Sequence, residues 1–276
     1  MPATTPPRLA DRAALQRNRT RAARAPVTFL REAVIADIQE RLGEVNRTFT
    51  APAVVTPFPE LWADVLPGAV TVPDDETLAL APGAHDLLIH DLCLHWADDP
   101  VGQLVQAGLA LKPDGLLIAT LFGGLTLQEL RTSLAEAEAR VTGGLSPRVA
   151  PMGEIRTLGT LLQRADLALP VADNIIWTVD YPSPVALMHD LRGMGEGNAL
   201  IHRLRRPTAR GVIEAAIETY VNHFGANGRV PATFEVAVLT GWTRHPDQQQ
   251  PLRPGSAVAR LADALGVNET KLDPGP

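Results

Sequence analysis

Three histidines lie five residues apart, His85, His90 and His95, in the stretch HDLLIHDLCLHW (85–96). Clustered imidazoles can bind a metal or move protons. On an extended strand successive side chains alternate faces, so His90 points away from the other two. No metal site is therefore expected. His95 and Trp96 either shape a substrate pocket or cap the sheet as a packed aromatic beside a hydrogen-bonded imidazole, and both readings stay open. Cys93, between Leu92 and Leu94, reads as a small core residue rather than a nucleophile.

Two glycine clusters could bring backbone close to a ligand. Phe122-Gly123-Gly124 follows an apolar run and is either a close-approach site or a tight strand-to-helix turn. Residues 193–198, GMGEGN, are too glycine-rich for a helix, and no Lys-Ser/Thr pair follows to make a phosphate loop. Arg203, Arg205 and Arg206 read as a solvated face, with an acidic partner as the alternative. The start of the chain concentrates Arg8, Arg12, Arg17, Arg19, Arg21, Arg24 and Arg31, with Asp11 the only acid before Glu32. A nucleic-acid arm or a transit peptide is one reading; a solvated N-terminal helix leading into the domain is the one expected.

The elements that must position these residues alternate. Residues 27–42 carry apolar side chains at 27, 30, 34, 35, 38 and 42, one helical face, with Thr28 placed to cap it. Strands are expected at 52–56, 69–72 and from 85, and helix 100–111 runs into the turn Lys112-Pro113-Asp114-Gly115. The continuous apolar run 116–122 then reads as a strand buried on both faces, closing a parallel βαβ crossover. Further helices are expected at 126–140, 153–165, 184–192 and 208–224, strands at 174–181 and 232–242, and a short helix near 257–265. Such alternation predicts an α/β open sheet.

At 276 residues, 45% hydrophobic and 20% charged, with mean hydropathy +0.02, the composition is that of a globular protein. The net charge of −6 argues against nucleic acid as a general partner. No apolar run reaches the roughly 18 residues of a membrane span, and no secretory signal is read at the start. A single cysteine excludes an internal disulfide and fits a cytoplasmic setting.

The stretches DLLIHDLCLHWADDP and LKPDGLLIATLFGG resemble class I S-adenosylmethionine-dependent methyltransferases. LFGGLTLQELRTSLAEAEARVTGGLSPRVAP, DLRGMGEGNAL, ATFEVAVLTGW and RPGSA narrow this to the methyltransferase-like assembly factors of respiratory complex I, their arginine-hydroxylase group and bacterial relatives near the biotin-synthesis methyltransferase. The resemblance implies a Rossmann-like fold with S-adenosylmethionine as cofactor. It puts Asp74 or Asp75 where an acid accepts from the adenine amino group, and His90, Asp91 and Leu92 at the strand end facing the methyl donor. Asp91 or His95 would be the conceivable catalytic base. Thr56, His95, Trp96, Phe122, Gly123, Met194 and Glu196 would line the cleft, and loop 193–198 resembles a family lid. The organisation expected is an Arg-rich arm (1–27), a methyltransferase-like domain (28–245) with a helical insertion at about 183–225, and a C-terminal tail (246–276).

One stretch departs from the family. Its first strand ends in a Gly-x-Gly-type turn; here Ala53-Val54-Val55 runs into Thr56-Pro57-Phe58-Pro59. Proline removes an N–H and cannot take the positive φ open to glycine. Residues 56–68 number 13, while a parallel crossover alone needs about a dozen or more. The first half of the fold is therefore expected to be truncated, its second strand and flanking helices reduced or missing. The functional expectation is a degenerate donor site, no cofactor and an interaction role, with a protein partner left open. The alternative is an active S-adenosylmethionine-dependent methyltransferase or arginine-hydroxylase-like enzyme on a protein or small molecule.

Overall fold

The computed structural model describes residues 8–248. Of these, 8–244 belong to one compact unit and 245–248 to a second. The helix expected near 257–265 lies outside the described residues.

Helix α1 (Arg12–Ala22) starts at Asp11, whose carboxylate accepts from the Ala14 N–H at 3.0 Å. In α2 (Phe29–Glu44) the buried stripe is Leu30, Val34, Ile35 and Ile38, together with Arg31. Thr28 occupies the N-cap position, but its hydroxyl donates to Glu32 at 2.6 Å and caps no backbone N–H. Strand β1 (Pro52–Val55) leads through a 3-10 turn (Pro59–Trp62) to β2 (Val70–Val72), then β3 (His85–His90). A second 3-10 turn (Leu94–Trp96) precedes α3 (Pro100–Ala110) and β4 (Leu111–Phe122). There follow α4 (Gln128–Thr142), α5 (Ile155–Arg164), β5 (Ala168–Tyr181), α6 (Pro184–Gly193), α7 (Arg210–Phe224) and β6 (Val230–Trp242).

The six strands run in the order β2-β1-β3-β4-β6-β5. The first four are mutually parallel; β6 is antiparallel to both β4 and β5. This is the Rossmann-like methyltransferase architecture anticipated, with the truncation at the anticipated place. Neither β1–β2 nor β2–β3 is joined by an α-helix, and a three-residue edge strand is all that lies outboard of β1. One core layer packs α2, α4, α6 and α7 on one face of the sheet, and the other packs α3 and α5 on the opposite face.

Two boundaries differ from the sequence pattern. The Lys112–Gly115 segment does not separate helix from strand: it is a bulge within β4, where Leu111 pairs with His85 and Leu116 with Leu87, and Asp114 takes φ +61°. Strand β5 begins at Ala168 rather than 174: Leu169 and Val171 are exposed, and pairing with β6, with a register shift between Ala168 and Val171, carries this part of the strand.

Candidate functional site

The carboxyl ends of β1 and β3 meet at Asp91, which is fully buried. Its Oδ2 accepts from Arg31 Nη1 (2.8 Å), the Thr56 hydroxyl (2.8 Å) and Trp62 Nε1 (3.0 Å), while Oδ1 has no partner among the described residues. Arg31 donates further to the Asp91 and Leu92 carbonyls and lies 4.9 Å from the Phe58 ring centroid. The Thr56 hydroxyl also accepts the Phe58 N–H at 3.1 Å. The turn after β1 thus delivers Thr56, Phe58 and Trp62 inward, and α2 delivers the cation that neutralises Asp91.

Asp74, beyond β2, is buried as well. Arg19 of α1 holds it at 2.5 and 3.0 Å, and Arg12 reaches it at 3.4 Å. Burial pushes the Asp74 pKa up, but the Arg19 charge and hydrogen bonds outweigh it and leave the group below its ordinary value. Asp75 is exposed; its side chain meets only Arg12, at 3.7 Å. A cavity of about 180 Å³ remains here, bordered by Arg19, Thr56, Pro57 and Asp74.

A larger cavity, about 260 Å³, opens beside the carboxyl end of β4 and the amino-terminal half of β6, under α4 and α6. Trp96, Phe122, Leu130, Met152, Leu191 and Phe234 give it an apolar wall, and Glu196, Gly197 and Asn198 of the 193–198 loop form part of its lining. Glu196 Oε2 accepts from His95 Nε2 (3.1 Å) and Trp96 Nε1 (2.7 Å). Burial opposes the charge on Glu196, yet His95 and Arg19 keep its pKa below the ordinary value. His95 packs on Phe122 at 4.7 Å between centroids, and its buried Nδ1 has no partner among the described residues. His95 and Trp96 are both packed and hydrogen-bonded, and Trp96 also lines the cavity.

Other expected site residues fall elsewhere. His90 is buried, donating from Nε2 to Gln103 at 3.2 Å, and burial holds its pKa down. Cys93 packs against it at 3.5 Å with its thiol pKa pushed up by burial, as a core cysteine should be. Leu92 takes φ +42° within the core, and its N–H donates to the Thr120 hydroxyl at 2.7 Å. Met194 is buried in the core layer with Tyr181 and Leu191, outside the wall of the larger cavity. Gly123 lies against Glu235 of β6, where a Cβ would come within 2.6 Å of that side chain. Arg203 is not free on a solvated face; it pairs with Asp11 at 2.9 Å. Among the described residues no three His, Cys, Asp or Glu side chains gather as metal ligands.

The pattern missed Arg19 and Arg31 as buried groups. The signal was there: Arg31 shares the i, i+3, i+4, i+7 stripe of Val34, Ile35 and Ile38, and Arg19 shares that of Leu15 and Ala22.

The chain is 36% identical to rat Arginine-hydroxylase NDUFAF5, mitochondrial, over 208 residues, which is 74% of this chain and 60% of that protein. The human protein of the same name is 37% identical over 213 residues, 76% and 61% of the two chains. The Malonyl-[acyl-carrier protein] O-methyltransferase of Xylella fastidiosa (strain M23) is 34% identical over 176 residues, 64% and 58% of the two chains. The chain is a homologue of both, within a methyltransferase-like family. It spans between 45% and 65% of the length of such curated relatives. No protein-family model matches this methyltransferase-like chain. Among solved structures, YcgJ of Bacillus subtilis superposes with a TM-score of 0.48 at 11% identity, covering 78% of this chain and 99% of that one; the sequence relatives, not this loose fit, carry the assignment. Among the described residues no helix is long and apolar enough to cross a membrane.

Proposed function

We propose that this methyltransferase-family chain has given up binding S-adenosylmethionine and acts by holding a protein partner. The observation that carries the reading is Asp91. Its carboxylate, at the strand end that would face a methyl donor, is buried under Arg31, Thr56 and Trp62. The same substitution of protein for ligand recurs at Asp74, where Arg19 and Arg12 take the acid that an adenine amino group would use. Pro57 and Pro59 supply no N–H to a ligand, and the cavity of about 180 Å³ left there is below the roughly 300–1,000 Å³ of drug-sized ligand sites. The residues present at these two acids do not fit the cofactor. Asp91, with three donors on it and no exposure, does not serve as a base in this reading.

The larger apolar cavity, with Trp96 and Phe122 in its wall, is the surface retained for a partner side chain. A cytoplasmic setting is part of this reading, whereas the arginine-hydroxylase relatives are mitochondrial. Nucleic acid is not the partner, given the net charge of −6.

A second reading is favoured by one observation, the unpartnered Nδ1 of His95 beside Glu196. An active enzyme, whether a methyltransferase or a hydroxylase acting on an arginine side chain as the relatives' names state, could use that imidazole at the cavity. Calorimetric titration of the protein with S-adenosylmethionine and with S-adenosylhomocysteine separates the two. No heat of binding at millimolar ligand is expected; micromolar affinity for either overturns the non-catalytic reading.

A further inference from the structure

The arginines at the start of the chain divide into two sets. Arg12, Arg19 and Arg31 turn inward onto Asp74 and Asp91. Arg17, Arg21 and Arg24 are exposed and make no ion pair among the described residues. They stand at i, i+4 and i+7, one outward stripe along α1 and the turn that ends it. Arg21 borders a groove of about 520 Å³ between α1 and α6, whose wall also carries His189 and Arg192, with Asp190 the one acid in its lining. Arg192 is likewise exposed and without an ion pair among the described residues. In a protein of net charge −6, this is a local field of opposite sign.

The groove is not isolated. Arg192, Gly197 and Asn198 line both it and the apolar cavity beside Trp96. The cationic groove and the apolar cavity are therefore immediate neighbours across these three residues. We propose that together they bind an acidic segment of a partner protein, carboxylates against Arg21 and Arg192 and one large apolar side chain seated in the cavity. The proposal rests on the partner-binding reading above and supplies the partner's chemistry. Guanidinium groups favour carboxylates through paired N–H donors, and charge complementarity at the rim with an apolar anchor at the centre is how specific interfaces divide their work. Nucleic acid would meet the arginines but offers no aliphatic anchor.

The test is fluorescence anisotropy with labelled peptides on the full chain. The probes are an Asp/Glu peptide carrying one Leu, the same peptide with Leu replaced by Ser, a Lys version, and a single-stranded oligonucleotide. The acidic Leu peptide is expected to bind, more weakly at high salt, with the Ser peptide weaker and the Lys peptide silent. Arg21→Glu with Arg192→Glu is expected to weaken it at least about tenfold; both positions are exposed, and an unchanged denaturation midpoint checks the fold. No binding of the Leu peptide, binding that ignores the charge reversal, or an oligonucleotide that binds as tightly each overturns the proposal. Donor titration on the same protein keeps the two readings apart: S-adenosylmethionine binding would remove the non-catalytic reading and leave the peptide result to stand or fall by itself.

Discussion

Arg31 sits in the middle of an apolar helical stripe, where a cation is tolerated only if its charge is met. Asp91 meets it, and each makes the other affordable in the interior. Removing one member strands the other. Arg31→Ala is therefore expected to destabilise by about 3–5 kcal/mol, read as a fall in the denaturant midpoint. The double replacement Arg31→Met with Asp91→Leu removes both charges and is expected to recover most of that loss; if it is no more stable than the single variant, the pair does more than neutralise. A second carboxylate speaks through pH. The Arg148 hydrogen bonds, with Ser146 in support and burial opposing, hold Glu138 at about 2, against an ordinary 4.5. A depressed folded pKa gives stability that is fully present above the unfolded value and is lost as pH falls through the folded one. The midpoint should thus decline between pH 4.5 and about 2, and Glu138→Gln should flatten that decline. Asp74, also lowered, acts in the same direction.

Whole elements were legible in the sequence where they were buried on both faces or strictly amphipathic. The β3–α3–β4 crossover is an example: HDLLIH and LLIATLF are apolar on both faces, and the structure pairs Leu88 with Leu117 and Ile89 with Ile118. What escaped was the inward turn of α1, because a run of arginines reads as solvated and only the buried Asp74 across the fold makes Arg19 an interior residue. The start of β5 escaped because Pro170 interrupts it and its apolar Leu169 and Val171 stay exposed, so its order comes from pairing with β6. The turn after β4 shows how element packing fixes a residue type. Glu235 is pinned by the Leu125 N–H and Asn174, both at 2.7 Å, so it cannot withdraw from a Cβ added at Gly123. Gly123→Ala is expected to cost about 1–3 kcal/mol by overpacking. Gly124→Ala, with nothing closer than 3.7 Å, should cost less. Equal effects in a urea titration would count against this account.

At the scale of the molecule, the half of the sheet before β3 is small: β1, a three-residue β2 and two connections without an α-helix. A ligand that bound there would normally help to hold such a half together. Here α1 and α2 do so instead, placing Arg12, Arg19 and Arg31 on the two buried acids, while Trp62 and Phe58 fill the space between. Stability that is supplied internally should not depend on ligand. Anything that binds the native state alone raises its stability, by about 2.7 kcal/mol at a hundredfold excess over Kd. Millimolar S-adenosylmethionine is therefore expected to leave the melting temperature unchanged. Returning glycines to the turn, Pro57→Gly with Pro59→Gly, should not create a response either, because the arginines and Trp62 still occupy the site. The prediction turns on that double variant: a ligand-dependent rise in its melting temperature would mean that the prolines alone, and not the helices laid across the strand ends, keep the donor out.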